Sequence, residues 1–263
     1  MINFDYLESN SDDFREIFSR AKPFEHLVVD EFCDSEKLCA SVKLIQDPHI
    51  SRDNKSRDFV FAKNKYEKAR FEEISKDFAE LRGDLISPRF AEWLSGITGQ
   101  TIFIDPDFHG GGLHQGGAGS FLDMHADFNY HPKNPTWFRN VNILLYLNDG
   151  WKSDHGGMLK LQNGRSATDA LVYEIDPLFN RAVIMFTREH TLHGYEPINF
   201  PVGTFRRSVA AYGYTLESKP DSARTTIWHP KTGGILKKFL GKNMPLLVKI
   251  KTKFLGSSTS KNK

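Results

Sequence analysis

His125, Ala126 and Asp127 put a histidine and a carboxylate two residues apart, and a further histidine, His193, follows Asp127 by 66 residues. On a β-strand, residues i and i+2 leave the same face, so His125 and Asp127 can grip one ion while a third ligand arrives from another strand. Two imidazoles and one carboxylate leave about three positions of an octahedral ion open, a facial set suited to Fe(II) with exchangeable ligands. The spacing alone is unspecific. With 10 histidines and 33 acidic residues in 263, composition yields about one His-x-Asp/Glu by chance.

The segments that must position these residues read as strands. Residues 139–148, RNVNILLYLN, are rich in β-branched and aromatic types and stop on the turn signal Asn148, Asp149, Gly150. Residues 156–161, GGMLKL, read as the hairpin partner, entered through a double glycine that permits a tight bend. Residues 170–175, 181–187 and 205–216 follow, with turn-rich segments between them. Short strands at such regular spacing predict a β-sandwich or barrel.

The first hundred residues read as helical support. Ser11 or Asp12 caps a short helix, 26–29 is a short strand, and Asp34 caps a helix through Gln46. Residues 66–82 carry Phe71, Ile74, Phe78 and Leu81 at helical spacing, and Ser87-Pro88 starts a helix that stops at Gly96 to Gly99. Residues 51–69 interleave Arg52, Lys55, Arg57, Lys63, Lys65 and Lys68 with Phe59, Phe61 and Tyr66. Such a run reads as a solvated loop.

Taken in order, HAD (125–127), RNVNILLYLN, GGMLKL, RAVIMF (181–186), HGYEPI (193–198) and FRRSVAAYGY (205–214) resemble the catalytic domain of the Fe(II)/2-oxoglutarate-dependent dioxygenases. The nearest branch is the prolyl 4-hydroxylase-like one. The resemblance implies a mainly β fold with flanking helices: a double-stranded β-helix (jelly-roll, cupin-like) barrel over 100–218, helical support and lid over 1–99, and a basic extension over 219–263. It implies His125, Asp127 and His193 as catalytic iron ligands. Arg206, in an R-x-S pattern with Ser208, would pair with the far carboxylate of 2-oxoglutarate, and Tyr146 would hydrogen-bond it. The implied cofactors are Fe(II) and 2-oxoglutarate, with ascorbate as an auxiliary reductant. The implied reaction hydroxylates an unactivated carbon-hydrogen bond of an amino acid, prolyl peptide, glycan or biosynthetic intermediate while 2-oxoglutarate is decarboxylated to succinate.

Strand alternation agrees with part of that assignment. Arg206, Ser208, Ala210 and Tyr212 share one face, so if Arg206 points inward Arg207 points outward, although either arginine could serve as the anion partner. Asn142 shares a face with Leu144 and Tyr146, and an amide in an apolar strand needs partners, which places it at the cofactor pocket. His190 is the alternative to His193. His114 and Gln115 border the pocket by resemblance, and Asp123 reads as a surface carboxylate at the strand entrance. A non-catalytic barrel, or a cupin-like isomerase binding a small molecule or sugar, is the competing reading.

Composition excludes several classes. No GxxxxGK[ST] phosphate loop and no Gly-x-Ser-x-Gly elbow occurs, and neither cysteine stands in a metal or redox motif. Cys33 and Cys39, read as lying on different faces of one helix, are expected to be free thiols, which fits a cytoplasmic protein. Residues 237–263 hold 8 lysines and no acid. Pro245 reads as the start of a short amphipathic helix there, which packs on its own domain or contacts a membrane or partner, with 256–263 disordered. Nucleic acid is not expected, since no binding motif accompanies the charge.

Overall fold

The computed structural model describes residues 1–51, 53–55, 58–165 and 171–255. In chain order the elements are α1 (Phe4–Ser9), α2 (Ser11–Arg20), β1 (His26–Val29), α3 (Ser35–Val42), β2 (Asn54–Lys55), β3 (Ala62–Lys68), α4 (Lys76–Leu85), α5 (Pro88–Thr98) and β4 (Phe103–Ile104). Then come β5 (Gly112–Ala126), β6 (Trp137–Tyr146), β7 (Leu159–Asn163), β8 (Tyr173–Ile175), β9 (Ala182–Phe186), β10 (Thr191–Tyr195), β11 (Arg206–Leu216), β12 (Ile227–Trp228) and α6 (Gly234–Leu255). The strands form one curled antiparallel sheet in the order β1-β9-β6-β11-β5-β10-β7-β8, with β3 and β12 also paired to β5. This is the expected jelly-roll.

Alternation along β6 divides the protein into a core and a pocket. Val141, Ile143 and Leu145 face the helices, where they join Leu38, Phe78, Phe90 and Leu94 in the main core. Asn142, Leu144 and Tyr146 face into the curl. Burying each large apolar side chain contributes about 1.5–3 kcal/mol, so this shared core fixes the sheet against the helical layer. Serine caps set the helices: Ser75 accepts from Phe78 N and Ser87 from Phe90 N, while Gly99 at φ +67° ends α5.

β5 makes the corner on which the site depends. Its first half pairs with β11 (Gly112↔Ala210 to Gly116↔Arg206), and its second half crosses to β10 (His125↔His193). Between them, β3 skips from Gly116 to Phe121 across a bulge that contains Gly119 at φ +71°. One strand therefore serves both halves of the curled sheet.

Several expectations need correction. β6 pairs with β9 and β11, and β7 with β10 and β8, so 156–161 are not the hairpin partner of 139–148. Gly156 and Gly157, at φ +65° and +80°, instead turn the chain toward the opposite half of the curled sheet, where β7 pairs with β10. Residues 62–68 form a strand rather than the start of a helix, because β5 offers a free edge, and the 51–69 segment is largely a β2–β3 hairpin laid on the barrel. α3 stops at Val42, short of Gln46, and Cys33 precedes it, although Cys33 and Cys39 are free as expected. Pro245 lies inside α6 rather than at its start. Residues 256–263 lie outside the described residues. Among the described residues no helix is long and apolar enough to cross a membrane.

Candidate metal centre and co-substrate pocket

His125 and Asp127 leave β5 on one face, and His193 sits directly opposite His125 on β10. The register alone brings the three together. His125 Nε2 lies 3.5 Å from Asp127 Oδ1, His193 Nε2 lies 3.4 Å from Asp127 Oδ2, and the two imidazole centroids are 4.2 Å apart. One ligand atom from each residue falls within 4.8 Å of the others, so the cluster could hold a metal ion. No other such group occurs among the described residues, and neither His190 nor Asp123 joins this one.

The neighbouring groups prepare these donors. His125 Nδ1 donates to the Asp123 carbonyl at 2.9 Å, which leaves Nε2 with its lone pair aimed at the cluster. Burial, with the nearby His125 and Arg139, depresses the His193 imidazole to about 3 against the pull of Asp127, so it is neutral and able to ligate. Burial would push the Asp127 carboxyl up, but Arg139, His193 and His125 outweigh it and hold it well below the usual carboxylate range. Asp127 is thus an anion across the neutral pH range.

Arg139 is the residue that sequence reasoning missed. Its Nη2 lies 2.9 Å from Asp127 Oδ2, and its guanidinium stacks 3.5 Å above the Tyr212 ring and 4.5 Å from the Phe128 ring. Strict alternation would turn residue 139 away from 142, 144 and 146. A register shift opposite Gly213 and Tyr214 removes Asn140 from the ladder and swings Arg139 inward. Asn142 completes the group: its Nδ2 donates to Asp127 Oδ2 at 2.8 Å, and its Oδ1 accepts from Arg139 at 2.7 and 3.0 Å. Asn142, expected among the cofactor-binding residues, is engaged at Asp127, four residues or roughly 13 Å from Tyr146 along β6, and lines the same cavity as Arg206.

The other end of the pocket is built around Arg206. It is buried, its Nε donates to the Gly157 carbonyl at 2.7 Å, and its Nη2 donates to the Tyr146 hydroxyl at 3.2 Å. The Tyr195 ring lies 4.3 Å from the guanidinium and the Tyr146 ring 5.0 Å. A Cβ on Gly157 would meet Arg206 Cδ at 2.9 Å, so only glycine admits this arginine. Burial pushes the Tyr146 phenol up and keeps it protonated. Ser208 lies opposite Tyr146 in the ladder and is buried beside it. Arg207 points to the other face, where its Nε donates to Gln115 at 2.8 Å.

Both ends open into one cavity of about 250 Å³, lined by His125, Asp127, His193, Arg139, Tyr146's neighbour Leu144, Arg206 and Ser208. Its outer wall includes Lys65, Glu67, His114, Phe59 and Trp228. Lys65 and Glu67, two apart on β3, form an ion pair at 3.2 Å and lie opposite Gly116 and His114. Trp228 stacks on Phe61 at 5.2 Å and lies tilted against the His125 ring at 4.9 Å. No sequence signal marked Trp228, since β12 is only two residues long.

Residues 111–214 match the family model of the 2OG-Fe(II) oxygenase superfamily. No curated protein matches the chain significantly. Among solved structures, the fold is similar to a Trichoplax adhaerens prolyl hydroxylase in complex with a hypoxia inducible factor peptide fragment. The TM-score there is 0.57 at 16% identity, covering 80% of this chain and 91% of that one. A Pseudomonas putida prolyl-4-hydroxylase is similar with a TM-score of 0.53 at 13% identity, covering 78% and 99%. A Phytophthora capsici prolyl 4-hydroxylase is similar with a TM-score of 0.55 at 15% identity, covering 81% and 66%. The matched segment contains the His-Asp-His cluster together with Arg139, Tyr146 and Arg206, so over residues 111–214 the chain matches the 2OG-Fe(II) oxygenase superfamily, on a fold similar to that of the prolyl 4-hydroxylases.

Proposed function

We propose that His125, Asp127 and His193 are the iron ligands, and that Arg206, with Tyr146 and Ser208, holds the distal carboxylate of 2-oxoglutarate. The observation that carries the reading is the cross-strand pair His125↔His193, with the two oxygens of Asp127 within 3.5 Å of one imidazole each. A guanidinium fork matches a carboxylate with two parallel hydrogen bonds, and the Arg206 donors left over from Gly157 and Tyr146 serve that purpose. Bound Fe(II) supplies the coupling between decarboxylation of 2-oxoglutarate and hydroxylation of a substrate carbon-hydrogen bond. The chain's own contribution is geometric: Arg139 and Asn142 fix the rotamer of Asp127, His125 is held in one tautomer, and Trp228 covers the imidazole from water.

The substrate, a small molecule or peptide, enters against Lys65, Glu67 and His114 on one side and Phe59 and Trp228 on the other. That mixture of a charged pair and aromatic faces supports a polar substrate with an apolar surface to stack, such as a sugar-containing molecule, an amino acid or a short peptide. The solved Trichoplax enzyme binds a peptide fragment, which supports the peptide option. A screen of amino acids, prolyl peptides and nucleotide sugars for substrate-stimulated succinate formation tests the reading. Stimulation by a member of one class, lost in His125→Ala, is the expected result. Turnover that persists without iron would overturn it.

A further inference from the structure

α6 has two apolar sides, and the barrel covers only one. Leu240 and Met244 pack on Phe61 and Trp228, Gly241 lies so close to β12 that a Cβ would meet the Trp228 carbonyl oxygen at 2.7 Å, and Lys237 pairs with Asp123 at 2.7 Å. At about 100° per residue these four positions span an inner stripe of roughly 100°. On the outer side, Ile235 is 89% exposed, Leu236 72%, Phe239 63%, Leu246 56% and Leu247 41%. Ile235, Phe239 and Leu246 fall within about 40° of one another, with Leu236 and Leu247 beside them. Lys238 and Lys242, both exposed, border this face along one edge.

We propose that this outer face docks on an anionic lipid surface. An exposed apolar stripe bordered by lysines, on a helix unable to span a bilayer, has the chemistry of a segment that lies in the headgroup region. Charge decides the occupant. The helix sequence holds six lysines and no acidic residue. A second copy laid against the face would set lysines on lysines, whereas anionic headgroups match them, each lysine near the surface strengthening partition about fivefold. Because the inner stripe packs on Trp228, docking holds the pocket wall about one helix diameter, roughly 10 Å, from the lipid. The inference is independent of the ligand assignments above.

The test is sedimentation of the full chain with vesicles of pure phosphatidylcholine and of phosphatidylcholine with about a third phosphatidylglycerol. Binding to the anionic vesicles alone is expected, weakening as salt is raised. Phe239→Glu with Leu246→Glu should weaken it at least tenfold, and Lys238→Glu with Lys242→Glu comparably. All four side chains are exposed, so the variants should fold, which an unchanged thermal denaturation midpoint and circular-dichroism spectrum check. Equal binding to both vesicle types, no binding to either, or variants that bind like the parent would overturn the proposal. So would a dimer in light scattering that Phe239→Glu dissociates in a chain that ignores vesicles, since the second copy would then be the occupant.

Discussion

The two ends of the pocket are polar in different ways. At the metal end, Asp127, Arg139, Asn142, His125 and His193 engage one another within 3.5 Å. At the Arg206 end a single buried guanidinium is steadied by a carbonyl and a phenol, neither of which carries charge. The first end is a closed network whose members are held by one another. The second is a cation awaiting an anion. A network tolerates no missing member, because the partner left behind is a buried unpaired charge, whereas a lone cation can be removed with little harm to the fold.

The largest effect is therefore expected at Asp127. Asp127→Ala removes a proposed iron ligand and strands Arg139, so it should abolish iron binding and turnover and destabilise the fold by about 3–5 kcal/mol, read as a lower denaturation midpoint. Arg206→Ala should keep iron and fold but raise the 2-oxoglutarate requirement at least about a hundredfold, while Arg207→Ala, on the outer face, shifts it little. Equal losses from the two arginine variants would break the comparison. Arg139→Met keeps volume but frees Asp127 to rotate. Iron affinity should fall about 10- to 100-fold, as for other supporting partners of metal ligands, with 2-oxoglutarate affinity of the iron-saturated chain nearly unchanged. The smallest effect on either end belongs to Lys65→Met: iron and 2-oxoglutarate titrations should match the parent, and only substrate-stimulated turnover should drop.

How much of this the sequence disclosed follows from how local each signal is. The His125/Asp127 pair was legible from period-2 alternation, whereas His193 and Arg206 were singled out from His190 and Arg207 only by the resemblance of the ordered motifs to a known family. Arg139 was hidden by a ladder irregularity at Asn140, which inverts alternation for the residue before it. β3 was misread because AKNKYEK is charged and poor in β-branched residues; its strand form comes from pairing with β5, a tertiary effect no local propensity records. The supposed hairpin of 139–148 with 156–161 failed for a related reason, since the double glycine turns the chain across the barrel rather than back along it. In α6, Pro245 marked a false start because a helix that packs through Leu240, Gly241 and Met244 tolerates one missing hydrogen bond.

The central claim is that one pocket holds an ion at His125, Asp127 and His193 and a dicarboxylate at Arg206. Anaerobic calorimetric titration of the iron-loaded chain with 2-oxoglutarate tests it most directly. The account predicts one site per chain whose affinity falls at least about a hundredfold in Arg206→Ala while bound iron stays constant. Absence of binding to the parent chain, or undiminished binding to Arg206→Ala, would contradict it.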